Sequence, residues 1–310
     1  MSQLQALIDA IGLGAVYALV AVGIGLVFGV MRIVNFAYGQ LIMIAAYMLV
    51  FTQSWPSAAS IVIAVLVAAG ASIVMERVAF RPLRAASEST TLVATFAIAI
   101  LLENVALLRY TYRNRPVGDT VSVLSQLDRA ASIGPLHLRW ITLVAIAVGA
   151  ASLGGLALLL HRTSLGLQMR AAAADFETAR TLGVRANTVI LAAVAISGAL
   201  AAIAAVILTI QTPQVTNTTG LSETILVLIG CVVGGIERVL SATLGGFAIG
   251  FVLSFAGYEL AAYGSQSSAP LPFTSSVYLP SVVYVLVIVL LLMRPSGLFA
   301  RRGQTVVERA

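Results

Sequence analysis

Four glutamates lie within or beside the apolar runs of this sequence, where an ionisable side chain could relay a proton or bind an ion: Glu103, Glu223, Glu237 and Glu259. Glu237 falls at one end of its run and Glu223 and Glu259 near the other, where water reaches them. Glu103, with Asn104 beside it, is the one that we expect to be buried. It lines a translocation path or, as the alternative, is a structural carboxylate bonded to a neighbouring helix.

Other chemistry-bearing residues are isolated in the sequence. His137 and His161 stand in separate polar segments, and Cys231 lies alone in an apolar stretch, where a small packing role is expected. The sequence shows neither a paired acid and base nor a GxxxxGK[ST] phosphate loop for ATP. We therefore expect no catalytic residue, no metal site, no cofactor bound by this chain and no nucleic-acid partner.

The elements that position these residues are predicted to be transmembrane helices. Of 310 residues, 60% are apolar and 10% are charged, whereas soluble proteins contain about 45–50% and about 25%. Uncharged runs of 43, 37 and 34 residues follow Arg32, Arg185 and Glu259. Because about 20 residues cross the hydrocarbon layer, each run holds two spans or one span and a re-entrant piece. The prediction is one all-α polytopic domain, residues 1–310, with eight or nine spans. The predicted spans are 10–31, 35–53, 58–76, 90–108, 140–160, 188–210, 221–237, 240–262 and 277–293.

Arginine placement predicts the orientation. All 18 basic residues are arginine, and 13 of them fall in turns that alternate consistently on one side. Since cytoplasmic loops carry the positive excess, the N-terminus is expected outside and the C-terminus inside. The other five arginines lie in one outer loop, 109–139. The first nine residues contain no basic residue, so the first apolar run is predicted to be a permanent span rather than a signal peptide.

An internal repeat is predicted from two glycine and arginine triplets. Gly29, Arg32 and Gly39 align with Gly235, Arg238 and Gly245 at an offset of 206 residues. Each triplet lies where an inward span turns into an outward one. The two copies would then run in the same direction, which predicts a parallel repeat about the membrane normal.

The inner loop 161–188 is too long to be only a connection. Residues 167–182 are rich in helix-forming Ala, Arg, Leu and Met, and Gly183 stands where a left-handed residue would end a helix. A short helix on the cytoplasmic surface is therefore predicted. It is either an interfacial anchor or, as its many alanines favour, a surface that another protein approaches closely.

Residues of this loop carry a family resemblance. The stretch Glu177–Gly183 (ETARTLG) resembles the E-A-A-x-x-x-G signature of bacterial ABC importer permeases, with Thr178 in place of an alanine. The longer stretch 164–183 is similar to permeases of branched-chain amino-acid importers. Its matching residues are Gly166, Arg170, Ala171, Asp175 and Ala179.

Two further segments extend the resemblance along the chain. Residues 35–40 (NFAYGQ) resemble the N-F-A-x-G motif of the same family, departing from it at Tyr38 and, further on, at Ala45. Residues 234–236 (GGI) and 294–298 (RPSGL) are also similar. The resemblance thus covers nearly the whole chain in colinear order.

The resemblance implies site residues. A coupling surface toward the ATPases would contain Arg170, Asp175, Glu177, Ala179, Arg180 and Gly183. Asn35, Tyr38 and Gly39 would shape the start of the second span beside the translocation path. Glu103 and Asn104, which were identified above from the apolar runs, are assigned to the same path.

The resemblance also implies partners and location. The chain would be one of two permease subunits, copies or sisters, in a bacterial inner membrane, working by alternating access. Two cytoplasmic ATPases would bind ATP and Mg²⁺ and drive the cycle by hydrolysis, and a periplasmic binding protein would deliver the solute. Related permeases carry hydrophobic amino acids, urea and small amides, and the sequence leaves these solutes open. The alternative is an ion-coupled carrier or a channel, although a lone buried carboxylate and the lack of a filter motif favour neither.

Overall fold

The computed structural model describes residues 3–84, 86–109, 114–116, 130–133, 136–212, 214–236, 238–266 and 279–293. The helices are α1 (Gln3–Met31), α2 (Tyr38–Phe51), α3 (Ser57–Met75), α4 (Arg81–Leu83), α5 (Glu88–Arg109), α6 (Trp140–Arg162), α7 (Ser164–Ala174), α8 (Phe176–Thr181), α9 (Ala186–Gln211), α10 (Leu221–Gly234), α11 (Val239–Gln266) and α12 (Leu279–Met293). A π-helical turn, Glu76–Phe80, joins α3 to α4. The strands are β1 (Asn114–Pro116), β2 (Ala130–Ile133), β3 (Leu136–Arg139) and β4 (Gln214–Thr216).

The all-α polytopic prediction is confirmed. Helices occupy all nine predicted spans, and six of them are long and apolar enough to cross a membrane: α1, α3 with its continuation to Leu83, α5, α6, α9 and α11. The strands form two short antiparallel pairs, β1 with β4 and β2 with β3, in the connections between helices. Glu237, the segment 294–310 and much of the loop between α5 and α6 lie outside the described residues.

Helices α2 and α10 are too short to span a bilayer. Each has 14 residues, which is about 21 Å of helix, against a hydrocarbon layer of roughly 30 Å. Non-helical residues precede each of them, 32–37 before α2, and 212 and 214–220 before α10. The predicted span 35–53 therefore begins with non-helical residues, whereas those before α10 lie outside the predicted span 221–237. A short helix preceded by non-helical backbone is the broken form that the long uncharged runs allow.

Helix α2 begins inside the bundle because its entry segment turns back along α1. Tyr38 packs against Gly23, which lies eight residues, or about 12 Å, before the end of α1. Arg32 opens the segment with a φ of +55°. Buried Asn35 then accepts a hydrogen bond on Oδ1 from the Ala37 amide, at 3.0 Å, an Asx turn that satisfies this donor. Non-helical backbone at membrane depth is tolerated where protein surrounds it in this way.

One end of the bundle carries α7 and α8. Arg32 Nη2 donates to the Ala173 carbonyl of α7 at 3.1 Å, which places the end of α1 there. Helix α11 also begins at this end, since Val239 lies against Gly25 of α1. We call this the α7–α8 end. Helices α1 and α10 run toward it, and α2, α9 and α11 run away from it.

The core forms around α1, whose side chains are mostly buried. Its largest contact is with α11, where Gly246 and Gly250, four residues apart, lie against the Tyr17 and Leu13 carbonyls. This small-residue spacing lets two helix backbones approach closely in a membrane. Helix α9 packs against α1 and α3. The bundle thereby holds α2 and α10 between long helices.

The two copies of the predicted parallel repeat agree in direction and differ in helix length. The Arg32 and Arg238 turns lie at the same end and their flanking helices run in the same senses, as expected. The lengths do not correspond, however, because a 29-residue helix precedes a 14-residue helix in one unit and a 14-residue helix precedes a 28-residue helix in the other.

The lengths correspond in another pairing. Helices α1 and α2 (29 and 14 residues) match α9 and α10 (26 and 14 residues), each pair being separated by a non-helical segment. The two pairs run in opposite directions. Their neighbours match as well, because α11 packs on α1 and α3 packs on α9. These four helices therefore also correspond in length as an inverted pair, while the two turns of the predicted parallel repeat keep the same end and the same helix senses.

Candidate functional site

The short helices α2 and α10 meet at their N-terminal ends inside the bundle. A Cβ added at Gly39 would lie 2.5 Å from the Gly220 carbonyl oxygen, and one at Gly220 would lie 2.5 Å from that of Gly39. The two backbones are therefore in direct contact, which we call the α2–α10 crossing. Gly220 has a φ of +90°, a conformation that glycine adopts without a steric cost.

Glu223 has a structural role at this crossing. The Gly220 amide donates to Glu223 Oε2 at 2.9 Å, and the Ser222 hydroxyl donates to the same oxygen at 3.0 Å. A carboxylate that accepts from the residue before a helix satisfies an amide that has no partner within the helix. Glu223 thus caps α10, which accounts for it without a proton relay.

Tyr38 fixes α2 against two long helices. Its hydroxyl donates to the Ser197 carbonyl of α9 at 3.3 Å, and the Ser197 hydroxyl donates to the Gly23 carbonyl of α1 at 2.9 Å. Tyr38 is fully buried, and a Cβ at Gly23 would contact its hydroxyl. The structure therefore brings Asn35, Tyr38 and Gly39 together at the start of α2.

Polar atoms at this level are incompletely hydrogen-bonded. Gln40 and Thr224 are fully buried, yet Gln40 Oε1 and Nε2 and Thr224 Oγ1 have no partner within the described part of the chain. Thr224 Oγ1 lies 2.9 Å from the position of a Cβ at Gly39. Helix N-termini carry partial positive charge, and both short helices direct theirs toward the crossing. The crossing is therefore a polar site within an apolar bundle.

Glu103 is half-buried rather than buried as predicted. The reason is that α5 lies at the edge of the bundle with one face exposed. Asn217, in the segment that leads into α10, donates from Nδ2 to Glu103 Oε1 at 3.2 Å. Asn104 is exposed and donates to the Ile100 carbonyl of its own helix at 2.8 Å. The structure thus joins Glu103 to the entry of α10 and leaves Asn104 apart from it.

The predicted ionisable residues do not bond to one another among the described residues. Glu103 accepts from Asn217 and Glu223 caps α10, Glu259 is exposed, and Glu237 lies outside the described residues. The described ranges also contain no group of three or more His, Cys, Asp or Glu side chains arranged to hold a metal. This pattern favours the structural interpretation of Glu103.

The surface segment forms two helices rather than the one predicted over 167–182. Asp175 interrupts them with an extended backbone, at φ −152° and ψ 107°. Its Oδ1 accepts from the Thr178 amide at 3.1 Å and its Oδ2 from the Thr178 hydroxyl at 2.5 Å. Aspartate is a preferred N-cap because its carboxylate satisfies a free amide at a helix start. Asp175 therefore ends α7 and starts α8.

The predicted helix end at Gly183 is confirmed. Gly183 has a φ of +91°, its amide donates to the Arg180 carbonyl, and the Val184 amide donates to the Ala179 carbonyl, both at 3.1 Å. This is the Schellman arrangement, which satisfies the last carbonyls of a helix.

The exposed face of α8 is not the one expected. Ala179 is 4% exposed and lies one turn from half-buried Phe176, so this face packs on the chain itself and is closed to another protein. Arg180 is exposed, and Leu182 is 80% exposed. The open part of α8 is therefore centred on Leu182 and Arg180.

The other predicted coupling residues lie at the same end. Arg170 is exposed on α7 and donates from Nη1 to His161 Nδ1 at 3.3 Å. Asp175 is exposed at the junction of the two helices. The side chain of Glu177 lies outside the described part of the structure.

Glu76 was missed by the sequence reasoning. It is 1% exposed in the π-helical turn and forms an ion pair with Arg84, which also donates to Asn187 Oδ1 at 2.9 Å. The pair joins the end of α3 to the start of α9. Side chains that pair on a regular helix lie three or four positions apart. Glu76 and Arg84 are eight positions apart, so helical spacing does not predict their contact. The available signal was one acid followed by three arginines within eight residues.

The comparisons with known proteins identify the family. A family model described as "Branched-chain amino acid transport system / permease component" matches residues 6–293. The chain belongs to this family.

Curated relatives cover the permease over nearly its whole length. The high-affinity branched-chain amino acid transport system permease protein BraD of Pseudomonas aeruginosa is 29% identical over 309 residues, covering 96% of each chain. The corresponding protein LivH of Salmonella typhimurium is 27% identical over 314 residues, also 96% of each chain. A probable LivH of Methanocaldococcus jannaschii is 28% identical over 90% of the permease and 87% of its own length. The permease is a membrane-spanning subunit of an ABC importer, and an ion-coupled carrier or a channel is not favoured.

Proposed function

We propose that the permease moves a branched-chain or similar hydrophobic amino acid into the cytoplasm by alternating access driven by ATP hydrolysis. The names of BraD and LivH support this solute class. In this proposal a periplasmic binding protein delivers the solute, and a second permease subunit, a copy or a sister chain, completes the path. The permease binds no cofactor itself, since ATP and Mg²⁺ sit on two cytoplasmic ATPases.

The proposed setting is a bacterial inner membrane, with the α7–α8 end in the cytoplasm. The N-terminus is then periplasmic and the C-terminus cytoplasmic, and residues 1–310 form one transmembrane domain with 161–188 as its coupling segment. The arginine distribution supports this orientation.

The hydrogen bond from Arg32 to the Ala173 carbonyl carries the proposal. It joins the end of α7 to the first residue of the segment that enters α2. An ATPase that shifts α7 and α8 therefore pulls on Arg32, and the pull passes along 32–37 to Tyr38. A short, direct connection of this kind couples an outer contact to a buried helix without a long relay through the bundle.

The α2–α10 crossing suits such a movement. Its closest contact, between Gly39 and Gly220, involves no interlocking side chains. The polar atoms of Gln40 and Thr224 have no bonds within the described chain that a small rotation would break. Two short helices separated from their long neighbours by non-helical backbone can thus tilt while the bundle around them stays packed.

The test is transport by the complete complex in proteoliposomes loaded with ATP. Arg32→Gln removes the guanidinium and with it the bond to Ala173. We expect the complex to assemble, while leucine uptake and the ATPase stimulation by the binding protein fall at least tenfold, an order-of-magnitude expectation for loss of a charge-assisted bond of about 1.5–3 kcal/mol. Arg162→Gln, an exposed arginine at the same end, is the matched control. Wild-type uptake by the Arg32 variant would remove this connection from the mechanism.

Orientation and energy source have separate tests. Trp55→Cys, in the exposed turn after α2, and Leu182→Cys, in a background of Cys231→Ala, should react with an impermeant thiol reagent from opposite sides. Labelling from one side would contradict the proposed topology. Uptake driven by an ion gradient without ATP would support the carrier instead.

A further inference from the structure

A large cavity opens at the α7–α8 end of the bundle. Its volume is about 1290 Å³, and its walls come from the end of α1 with the segment 32–34, from α4, the start of α5, α8 and the start of α9. Pockets for one small molecule usually measure about 300–1000 Å³. The cavity is thus larger than the binding of a single amino acid requires.

The charged side chains around this cavity are arginines: Arg32, Arg81, Arg84 and Arg180. Glu76 neutralises Arg84. Arg32 bonds to a neutral carbonyl and keeps its charge, while Arg81 and Arg180 are exposed and their guanidinium groups make no hydrogen bond or ion pair among the described residues. Three guanidinium groups therefore face one space without a described carboxylate, and such groups bind phosphate oxygens strongly.

The rest of the lining is largely apolar. Phe28, Ile33, Leu92 and Ile190 contribute to it, and Ile190 is 2% exposed, which places it deep in the wall. Exposed aliphatic side chains are present on the elements that lead into this lining, at Val78 in the turn Glu76–Phe80 before α4 and at Val93, next to Leu92 on α5. The space therefore combines a basic mouth with apolar walls and adjoins helix surface of the kind that faces hydrocarbon.

We propose that this cavity binds the headgroup of an anionic phospholipid, with the phosphate held by Arg81, Arg180 and Arg32. Basic pockets between transmembrane helices on the cytoplasmic side suit such headgroups. The acyl chains lie along the aliphatic surface at Val78 and Val93. A carried amino acid fits less well, because its ammonium group would face three cations. A small soluble anion has no apolar groups to pack against the apolar walls.

Native mass spectrometry of the purified full-length permease tests the proposal. The protein in detergent is titrated with phosphatidylglycerol and, separately, with phosphatidylcholine. We expect preferential retention of phosphatidylglycerol by the wild type. Arg81→Gln with Arg180→Gln should weaken that binding by about 25-fold, at about fivefold for each arginine near the anionic phosphate. The matched control, Arg162→Gln with Arg170→Gln, removes two exposed arginines from the same end outside the cavity and should leave the binding within about twofold of wild type.

Further variants and ligands separate the alternatives. Arg81→Lys with Arg180→Lys keeps both charges and should retain most of the binding, which shows that the effect is electrostatic and that these positions tolerate replacement. Equal affinity for the two lipids would overturn the proposal, as would an equal loss in the control pair. Competition by soluble glycerol phosphate at the same concentration as intact lipid would assign the site to a free anion instead. Because the assay contains no ATPase, its outcome is independent of the proposed transport cycle.

Discussion

The α2–α10 crossing and the α7–α8 surface are built by opposite means. At the crossing, two backbones touch through Gly39 and Gly220 and leave no room for a methyl group. On the surface, caps at Asp175 and Gly183 define two short helices, and Leu182 projects outward, 80% exposed. The first region depends on the absence of side chains, whereas the second depends on particular side chains.

Because of this difference, a substitution has a different effect in each region. A residue added at the crossing must push apart helices that the whole bundle holds, so it acts on folding. A residue changed on the surface of α8 alters few internal contacts, so it acts on whatever docks there. The hydrogen bond from Arg32 to Ala173 connects the two regions. The comparison therefore predicts loss of folded protein in one region and loss of coupling in the other.

The largest effect is expected for Gly39→Ala. Its methyl group would meet the Gly220 carbonyl at 2.5 Å, and a backbone atom inside a packed bundle cannot move aside cheaply. We expect a cost at or above the upper end of the about 1–3 kcal/mol that overpacking brings, seen as loss of the monodisperse peak in size-exclusion chromatography. Gly154→Ala is the control, because nothing lies within 4 Å of its added Cβ, and alanine favours a helix over glycine by about 1 kcal/mol. Equal yields of the two variants would contradict the comparison.

How far the sequence predicts the molecule also differs between the regions. Uncharged runs located all nine helical spans, and Gly183 was recognised because a helix end needs only local geometry. The uncharged run does not locate the break before α2, since residues 35–53 carry no charge at any position. It depends on contacts of Tyr38 with Gly23 and of Gly39 with Gly220, which join residues 15 and 181 positions apart.

Two further features depend on contacts that a sequence pattern does not contain. The burial of Ala179 depends on which face of α8 the bundle covers, and a high alanine content does not distinguish a covered face from one that another protein approaches. The repeat was aligned on glycine and arginine in a chain with 26 glycines, where helix packing places glycine for many reasons. The structure adds the helix lengths, which differ between the two predicted copies.

The next largest effect is expected for Gly183→Val. A β-branched residue at φ +91° is strained by about 1–2 kcal/mol, which opens the end of α8 without disturbing the spans. We expect normal amounts in the membrane and loss of most ATPase stimulation in the reconstituted complex. Gly183→Asn should be milder, since asparagine tolerates the left-handed region better than valine. Full stimulation in the valine variant would separate this helix from coupling.

A smaller effect is expected for Leu182→Ala. The side chain is 80% exposed, so its removal should leave the free energy of unfolding within about 0.5 kcal/mol of wild type, the usual range for surface changes. An apolar side chain buried on docking is worth about 1.5–3 kcal/mol, so affinity for the ATPase subunits should fall roughly tenfold or more. Leu108→Ala, exposed at 85% on α5, is the control. Equal affinities of the two variants, measured by titration of labelled ATPase, would place the docking contact elsewhere.

The smallest single effect is expected for Tyr38→Phe, and it sharpens the comparison when combined with Gly23→Ala. The lost hydroxyl donates over a long 3.3 Å to the Ser197 carbonyl, so its removal should cost no more than about 1 kcal/mol. Gly23→Ala alone should cost more, because its methyl group would contact that same hydroxyl.

In the double variant the hydroxyl is gone and only the ring edge remains close, at 2.8 Å for Cζ, so the methyl group is partly accommodated. Thermal unfolding of all four proteins should therefore give a favourable coupling larger than the about 0.3–0.5 kcal/mol within which distant changes add. If the losses in unfolding free energy of the two single variants simply added in the double variant, Tyr38 and Gly23 would not be in energetically significant contact. The start of α2 would then be held by contacts other than the one between Tyr38 and Gly23.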